Sequence, residues 1–352
     1  MIDRETPLAD FLLSLRAAPW VALDTEADSL HSYPEKLCLL QISIPGQDVL
    51  VDPLAALPLE SLFQVLHGRP LILHGADYDL RLLFRTFRFI PQSVFDTMLA
   101  ARLLGFHELG YEALVARLVS VRLEKGPQTA NWARRPLTDR MVTYARNDSH
   151  YLKPVSDALV AELRQKGRLA WHEETCAKLV QDSTQPTQTD PDEVWRIKRA
   201  HTLDRRGLAV LRRLWHWRDG EALRAAKPPY FVVSHEILVA VADAATRAQE
   251  LEPLLPRHLS PHRRHGLLEA VQDALALPAS EWPMMRRFTG RRLTVAQRRR
   301  AEELRRRRDR EAKALGLDPS LIATRTMLVQ LAADGETREP LLMNWQRQLL
   351  FG

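Results

Sequence analysis

Four carboxylates and one phenol in this chain fall into three clusters whose residue types suit hydrolysis at a metal. They are Asp24-Thr25-Glu26 at the end of an apolar run, Asp79 within HGADYDL, and Tyr144 and Asp148 at the two ends of YARND. Carboxylates gathered without a cation repel one another and raise each other's pKa, so such a gathering is usually stable only around bound metal. On a strand, positions i and i+2 share a face, so Asp24 and Glu26 can both project from the end of WVALD, with Thr25 turned away or offering its backbone. The same DTEADS also reads as a strand leaving into a turn. In LILHGADYDL the strand ends at His74-Gly75 and a helix starts near Asp77. Asp77 is placed to cap it, while Asp79 lies half a turn inside and can reach back over the strand ends, where open α/β sheets hold ligands. Asp96, closing SVFD before another helix, also reads as a cap. Tyr144 and Asp148 are spaced i, i+4 and emerge on one helix face, as many surface pairs do. A carboxylate there can hold a metal while the phenol reaches its water. A tyrosine with a pKa near 10 is a poor base, so it chiefly orients.

The elements that must position these groups are legible as pattern. WVALD, LCLLQISI, DVLVD, LILH and SVFD are short β-rich runs alternating with helical stretches near 59–67, 78–87 and from about 97, which predicts an α/β fold with a sheet of about five strands. Only Pro45, Gly46 and Gln47 separate LCLLQISI from DVLVD, so a hairpin is expected and the sheet is mixed. Beyond residue 111 the pattern is helical. QDSTQPTQTDP, 181–191, reads as a linker between a first domain, 1–180, and a helical domain, 192–275, where Ser234 can cap a helix. A second helical stretch begins near 285 and runs to 352.

A chain of 352 residues with 45% hydrophobic and 27% charged residues can bury real cores. No run approaches the roughly 18 apolar residues of a membrane helix, and the N-terminus carries acids where a signal peptide carries bases; a cytoplasmic location is expected. Cys38 and Cys176 support neither a disulfide framework nor a cysteine zinc site. The net charge of +6 is concentrated: residues 286–313 carry +9 and the rest of the chain −3. Glu302, Glu303 and Asp309 pair some of that run, but the arginine excess points to a polyanion. His258, His262 and His265 have helical spacing, yet Pro261 interrupts it and nearby arginines repel a cation. No Walker-type loop is present, and Trp195, Trp215 and Trp217 sit at apolar helical positions as core.

The ordered set Asp24-x-Glu26, Asp79 in HGADYD and Tyr144-x-x-x-Asp148 resembles the DEDD exonuclease superfamily in its tyrosine-bearing branch, and KGPQTANWARRPLT is similar to the segment before the third motif in the ribonuclease D family. VWRIKRAHTLDRRGLAVLRRLWHWRDGEAL resembles the HRDC domain shared with RecQ-type helicases, and the stretch from about 285 resembles a second, weaker copy. Asn147 and Ser149 depart from the acid and apolar residue that often flank the last motif. The resemblance implies a ribonuclease H-like mixed five-stranded sheet flanked by helices, a 3′–5′ exonuclease domain over 1–180, and two all-α HRDC-like domains at 192–275 and 285–352. It implies removal of nucleoside 5′-monophosphates from RNA 3′ ends, with tRNA precursors as partners and two divalent ions, Mg²⁺ or Mn²⁺, as cofactors. Asp24, Glu26, Asp79 and Asp148 match the metal-binding positions and Tyr144 the water-activating tyrosine; Thr25, His74, Arg298 and Arg305 are the expected substrate contacts. A deoxyribonuclease of the same superfamily is the nearest alternative. A non-catalytic RNA binder is the other, though it would gain nothing from acids that repel phosphate.

Overall fold

The computed structural model describes residues 1–186, 190–285, 293–334 and 342–352. The chain forms two compact units: Met1–Ala27, Leu37–Pro186 and Arg291–Gly352 make the first, and Asp28–Lys36 with Thr187–Gly290 the second.

In the first unit, β1 (Val21–Ala27), β2 (Leu37–Ile44), β3 (Gln47–Val51), β4 (Pro70–Leu73) and β5 (Ser93–Asp96) form one sheet in the order β3-β2-β1-β4-β5. β1, β2 and β3 pair antiparallel, while β4 and β5 add on parallel to β1. The sheet is therefore mixed, as the hairpin pattern predicts. Ile44 and Gln47 close that hairpin around Pro45-Gly46, and Gly46 takes a φ of +75° that other residues adopt only with strain.

Eight helices accompany the sheet among the described residues up to 186: α1 (Glu5–Ala17), α2 (Glu60–His67), α3 (Asp77–Phe87), α4 (Thr97–Leu104), α5 (Tyr111–Val119), α6 (Asp139–His150), α7 (Leu152–Gln165) and α8 (Leu169–Ser183). The two-residue strand period sorts the sheet's side chains between them. Val21, Leu23, Leu40 and Ile42 bury against apolar residues of α1, α2 and α3, such as Leu15, Leu66 and Leu83. On the opposite side, Ala22 and Ile72 meet Leu152, and Leu39 and Leu50 meet Trp132, Met141 and Ala145. Asp24 and Glu26 continue the Ala22 row, so the pleat carries them toward α6. The last helix before the linker reaches Ser183, three residues into the stretch expected as linker; residues 187–189 of that stretch lie outside the described residues.

The second unit packs α9 (Arg205–Ala225), α10 (Pro229–Val232), α11 (His235–Thr246) and α12 (Pro261–Leu275) around Leu211, Leu214, Leu238, Val241 and Leu267. Trp195 is buried in this core and Trp215 and Trp217 pack against it. Ser234 caps α11 through the Ile237 amide. Pro261 does not interrupt a helix; it opens one, at the first position of α12 behind the Ser260 cap, where its missing N–H costs nothing. The nine residues Asp28–Lys36, between β1 and β2, belong to this unit, where the Tyr33 hydroxyl donates to Asp219 (2.6 Å).

The stretch from 285, expected as a separate domain, is built differently. Helices α13 (Val295–Leu315), α14 (Pro319–Ile322), α15 (Arg325–Asp334) and α16 (Asn344–Phe351) share one core with the first unit, Leu304, Ala312, Ile322, Leu331 and Trp345 meeting Ala100, Leu103, Leu114, Val155 and Leu159. The reason is that α13, the longest of the four, buries only Leu304 and Ala312, too little to sustain a core alone. Arg168 fastens the joint: its buried guanidinium donates to Leu103 O and Leu315 O, both at 2.7 Å, at the carbonyl ends of α4 and α13. No helix of the described residues is long and apolar enough to cross a membrane.

Candidate active site

Asp24, Glu26 and Asp148 each bring a carboxylate oxygen within 4.8 Å of the others, which makes them the one group of potential metal ligands among the described residues. Two local regularities produce this. Asp24 and Glu26 lie two apart on β1. On α6, capped by Thr138 through the Met141 amide, Met141, Ala145 and Ser149 face the sheet at i, i+4 spacing, so Tyr144 and Asp148, one position earlier in each turn, flank the strand end. The Ser149 hydroxyl meets that of Ser43 on β2 at 2.8 Å, which satisfies this buried polar residue.

Asp79 is buried beside this trio with its carboxylate held elsewhere. Thr25, expected to face away or to offer its backbone, donates its hydroxyl to Asp79 Oδ1. Asp79 nevertheless belongs to the same field, since its charge helps raise both Asp24 and Glu26. Asp77 does not cap α3: the helix starts at Asp77 behind Ala76, and the Asp77 carboxylate binds Arg81 (2.8 Å) and the Ser183 hydroxyl (2.9 Å). The acid at that turn is Asp96, which accepts from the Gly75 and Ala76 amides and also caps α4 through Met98 and Leu99, as expected for that helix.

The electrostatics are those of crowded, desolvated acids. Burial first, then Asp79, Asp148 and Glu26, push Asp24 well above the carboxylate range. Burial, then Asp148 and Asp79, push Glu26 to about 9. Asp79 and Asp148 are each raised to about 7, by burial in both cases, against the opposing hydrogen bonds from Thr25 and Tyr144. The Tyr144 phenol, desolvated and facing Asp148 and Glu26, is pushed above its ordinary value, with Gln128 hydrogen-bonded to it. It therefore stays protonated at neutral pH and donates to Asp148. An all-oxygen, mutually repelling set of this kind fits a hard divalent cation, which would relieve the repulsion. Gln41, directly opposite Asp24 across the β1–β2 pair, is fully buried with neither amide atom hydrogen-bonded.

A cavity of about 490 Å³ opens over the acids, lined by Asp24, His74, Tyr111, Lys125, Gln128, Tyr144 and Asp148 among others. His74, expected as a substrate contact, lines this cavity. The Thr97 hydroxyl donates to Leu73 O (3.1 Å), so the 2.9 Å contact from His74 Nδ1 to Thr97 assigns that nitrogen the hydrogen, and burial lowers the imidazole pKa. Sequence reasoning missed Tyr111, Lys125, Gly126 and Gln128. The last three lie in the KGPQ segment, whose similarity to the stretch before the third motif carries no residue roles. Gly126 passes so close to Tyr144 that a Cβ there would sit 1.5 Å from the ring, so only glycine lets the phenol stand where it does. Tyr111 donates to Asn147 O (2.8 Å), tying the start of α5 to the last motif. Arg298 and Arg305 lie on α13. Arg298 is exposed, while Arg305 binds Glu302 (2.7 Å); Arg286, Arg287, Arg291 and Arg292 of the basic run lie outside the described residues.

Residues 1–164 match the family model described as a 3′-5′ exonuclease, and residues 207–252 match the HRDC domain. The chain is 32% identical to a ribonuclease D of Gluconacetobacter diazotrophicus over 99% of its own length and 89% of that protein's, and 30% identical to one of Granulibacter bethesdensis over 99% and 90%. The chain belongs to the ribonuclease D family. Its structure resembles the crystal structure of Escherichia coli RNase D, an exoribonuclease involved in structured RNA processing, with a TM-score of 0.74 and 27% identity over 94% of this chain and 89% of that one. Like its family, it is a 3′–5′ exoribonuclease of the DEDD superfamily, and RNA is its substrate.

Proposed function

We propose that Asp24, Glu26, Asp79 and Asp148 hold two divalent ions, Mg²⁺ or Mn²⁺, and that Tyr144 orients the attacking water at the 3′-terminal phosphodiester. The observation that carries this reading is the convergence of Asp24, Glu26 and Asp148 within 4.8 Å, with Tyr144 hydrogen-bonded to Asp148. When bound, such ions would acidify the water and stabilise the leaving 3′-oxygen. The protein's own residues do the rest. Asp24 and Glu26 set the site from one rigid strand, and Asp148 faces them from α6. Asp79 must give up its Thr25 hydrogen bond, or share the carboxylate through its second oxygen, to join them. Tyr144 keeps its proton and fixes the nucleophile's position through its hydroxyl, supported from behind by Gly126 and Gln128. Lys125, at the cavity wall, offers a cation to the phosphate.

His74, in its neutral form, serves as a substrate contact, and Thr25 acts on substrate only through its backbone. Arg298, beside exposed Arg299 and Arg300, carries the long-range attraction for RNA, and Arg305 contributes less because Glu302 already binds it. The products are nucleoside 5′-monophosphates. The substrate class is structured RNA with a 3′ extension, as in the processing ascribed to the E. coli relative, and within it tRNA precursors. The buried thiols of Cys38 and Cys176, neither in a disulfide, suit a reducing cytoplasm.

A time course on 3′-labelled and 5′-labelled tRNA precursor, with Mg²⁺, Mn²⁺ or EDTA, tests the reading. The 3′ label should appear at once as mononucleotide, and the 5′-labelled chain should shorten stepwise, only with metal. Internal cuts, or shortening in EDTA, would overturn it.

A further inference from the structure

The helical unit carries a second feature with RNA chemistry, lined mostly by residues outside the 207–252 stretch that matches the HRDC family, with Leu208 inside it. A pocket of about 370 Å³ lies where residues 196–201 approach α9, within the roughly 300–1,000 Å³ range of small-molecule sites. Its floor is apolar, from Ile197, Ala200, Leu208 and Met285; its rim carries the cations of Arg196, Lys198 and Arg199 with the His201 imidazole beside them; among the described residues no acid lines it. We propose that this pocket binds a nucleotide step of single-stranded RNA, base on the floor and flanking phosphates on the rim. The proposal rests on the exoribonuclease activity for its choice of ligand.

The rim is built in two ways. Arg196 is already fixed: its guanidinium lies 4.4 Å over the Trp195 ring and is bonded to Glu193 (3.1 Å) and Met284 O (3.0 Å). Lys198 and Arg199 are exposed and make no side-chain hydrogen bond or ion pair with another described residue, although Glu236 at the start of α11 attracts Lys198 from beyond ion-pair distance. Arg199 also holds a φ of +72°, a left-handed conformation uncommon for a long side chain. Its carbonyl accepts from the Thr202 amide (3.0 Å) and hydroxyl (2.9 Å), which locks the turn that presents it.

The unit's larger groove, about 470 Å³ between α9 and α12, makes the contrast. It also has arginines, but Glu221, Glu269 and Asp273 line it, and Arg224 and Arg213 are bonded to Glu221 (2.5 Å) and Asp273 (3.4 Å). A polyanion would have to displace those acids. At the 196–201 pocket it meets uncommitted cations. An apolar floor further favours a splayed base over a duplex, whose bases stay stacked.

The test is fluorescence anisotropy of an unstructured, 5′-labelled 12-nucleotide RNA with the full chain in EDTA, across a salt series. Lys198→Ala/Arg199→Ala should weaken binding on the order of tenfold and reduce the salt slope by about 1.4, since each single-strand phosphate contact contributes about 0.7. Arg213→Ala/Arg224→Ala should leave both as in the parent. The parent should prefer the RNA to an abasic strand of equal length, and Met285→Glu should abolish that preference. An unchanged slope and affinity in the Lys198/Arg199 variant, with parental thermal unfolding, would overturn the proposal. So would loss of binding to phosphatidylglycerol vesicles in that variant while RNA binding persists. Because binding in EDTA needs no turnover, these outcomes stay separate from failure of the catalytic reading, which would appear as intact RNA in parental enzyme supplied with Mg²⁺.

Discussion

Replacing Asp148 with asparagine should stabilise the metal-free protein while ending turnover. Asp148 is raised from 3.8 to about 7, chiefly by burial. A carboxyl whose folded pKa lies above its unfolded value costs stability as pH rises through the unfolded value, and the cost levels off above the folded one. At pH 8 the shift of about three pH units corresponds to about 4 kcal/mol at 1.36 kcal/mol per unit. Water enters the cavity and screens a partly exposed carboxylate, so about half, ~2 kcal/mol, is the expected gain. For a unit of this size that is roughly 4–8 °C in Tm. At pH 5 only the interval from 3.8 to 5 contributes, and the gain should shrink to less than about 1 kcal/mol. Asparagine keeps the shape of a protonated aspartate and an oxygen for Tyr144, so the fold itself is undisturbed. The assay is thermal unfolding in EDTA at pH 5 and pH 8, repeated with Mg²⁺, where the parent should rise and the variant rise less. A variant no more stable than its parent at pH 8, or a gain that grows toward pH 5, would refute the reasoning.

Three other outcomes are expected. Gly126→Ala should cut kcat 100-fold or more with little change in Tm, because the new methyl displaces the Tyr144 ring; steady-state kinetics beside unfolding curves would show it, and parental kcat would contradict it. Tyr144→Phe removes the hydroxyl that meets Asp148 and should lower kcat by 10²–10⁴ while Mn²⁺ affinity by calorimetry changes little; a proportionate loss of metal affinity would make it a structural residue instead. Arg168→Leu leaves Leu103 O and Leu315 O without their donor and should destabilise the first unit by about 2–3 kcal/mol in urea unfolding; a loss under 0.5 kcal/mol, on the same order-of-magnitude scale, would mean the C-terminal helices are not fastened there.

The parts of this site that follow from local periodicity were readable in advance. The two-residue strand period put Asp24 with Glu26, the four-residue helix spacing put Tyr144 with Asp148, and the short Pro45-Gly46 connection gave the antiparallel hairpin. What escaped was set by contacts between residues far apart in sequence. Thr25 and Asp79 are 54 positions apart, so nothing near either one announces that hydroxyl on that carboxylate. The turn before α3 looked complete with Asp77, yet the acid that satisfies its amides is Asp96, delivered by the next strand. Pro261 read as a breaker because a proline inside a helix and one at its first position look alike until the Ser260 cap is recognised. The stretch from 285 was expected as a separate domain from its resemblance to a second HRDC copy, but the sparse apolar stripe of the 295–315 helix is what decides where it packs. Tyr111, Lys125 and Gln128 carry no spacing signal and are gathered only by the cavity wall.

The gathered acids can be tested at the atoms. Crystals of Asp148→Asn and of parental protein, each soaked in Mn²⁺ and measured at the manganese edge, should differ: the parent should show anomalous density between Asp24, Glu26 and Asp148, with Asp79 turned from Thr25 toward it, and the variant should lose at least one ion. Manganese absent from that position in the parent, or bound there equally in the variant, would contradict the account.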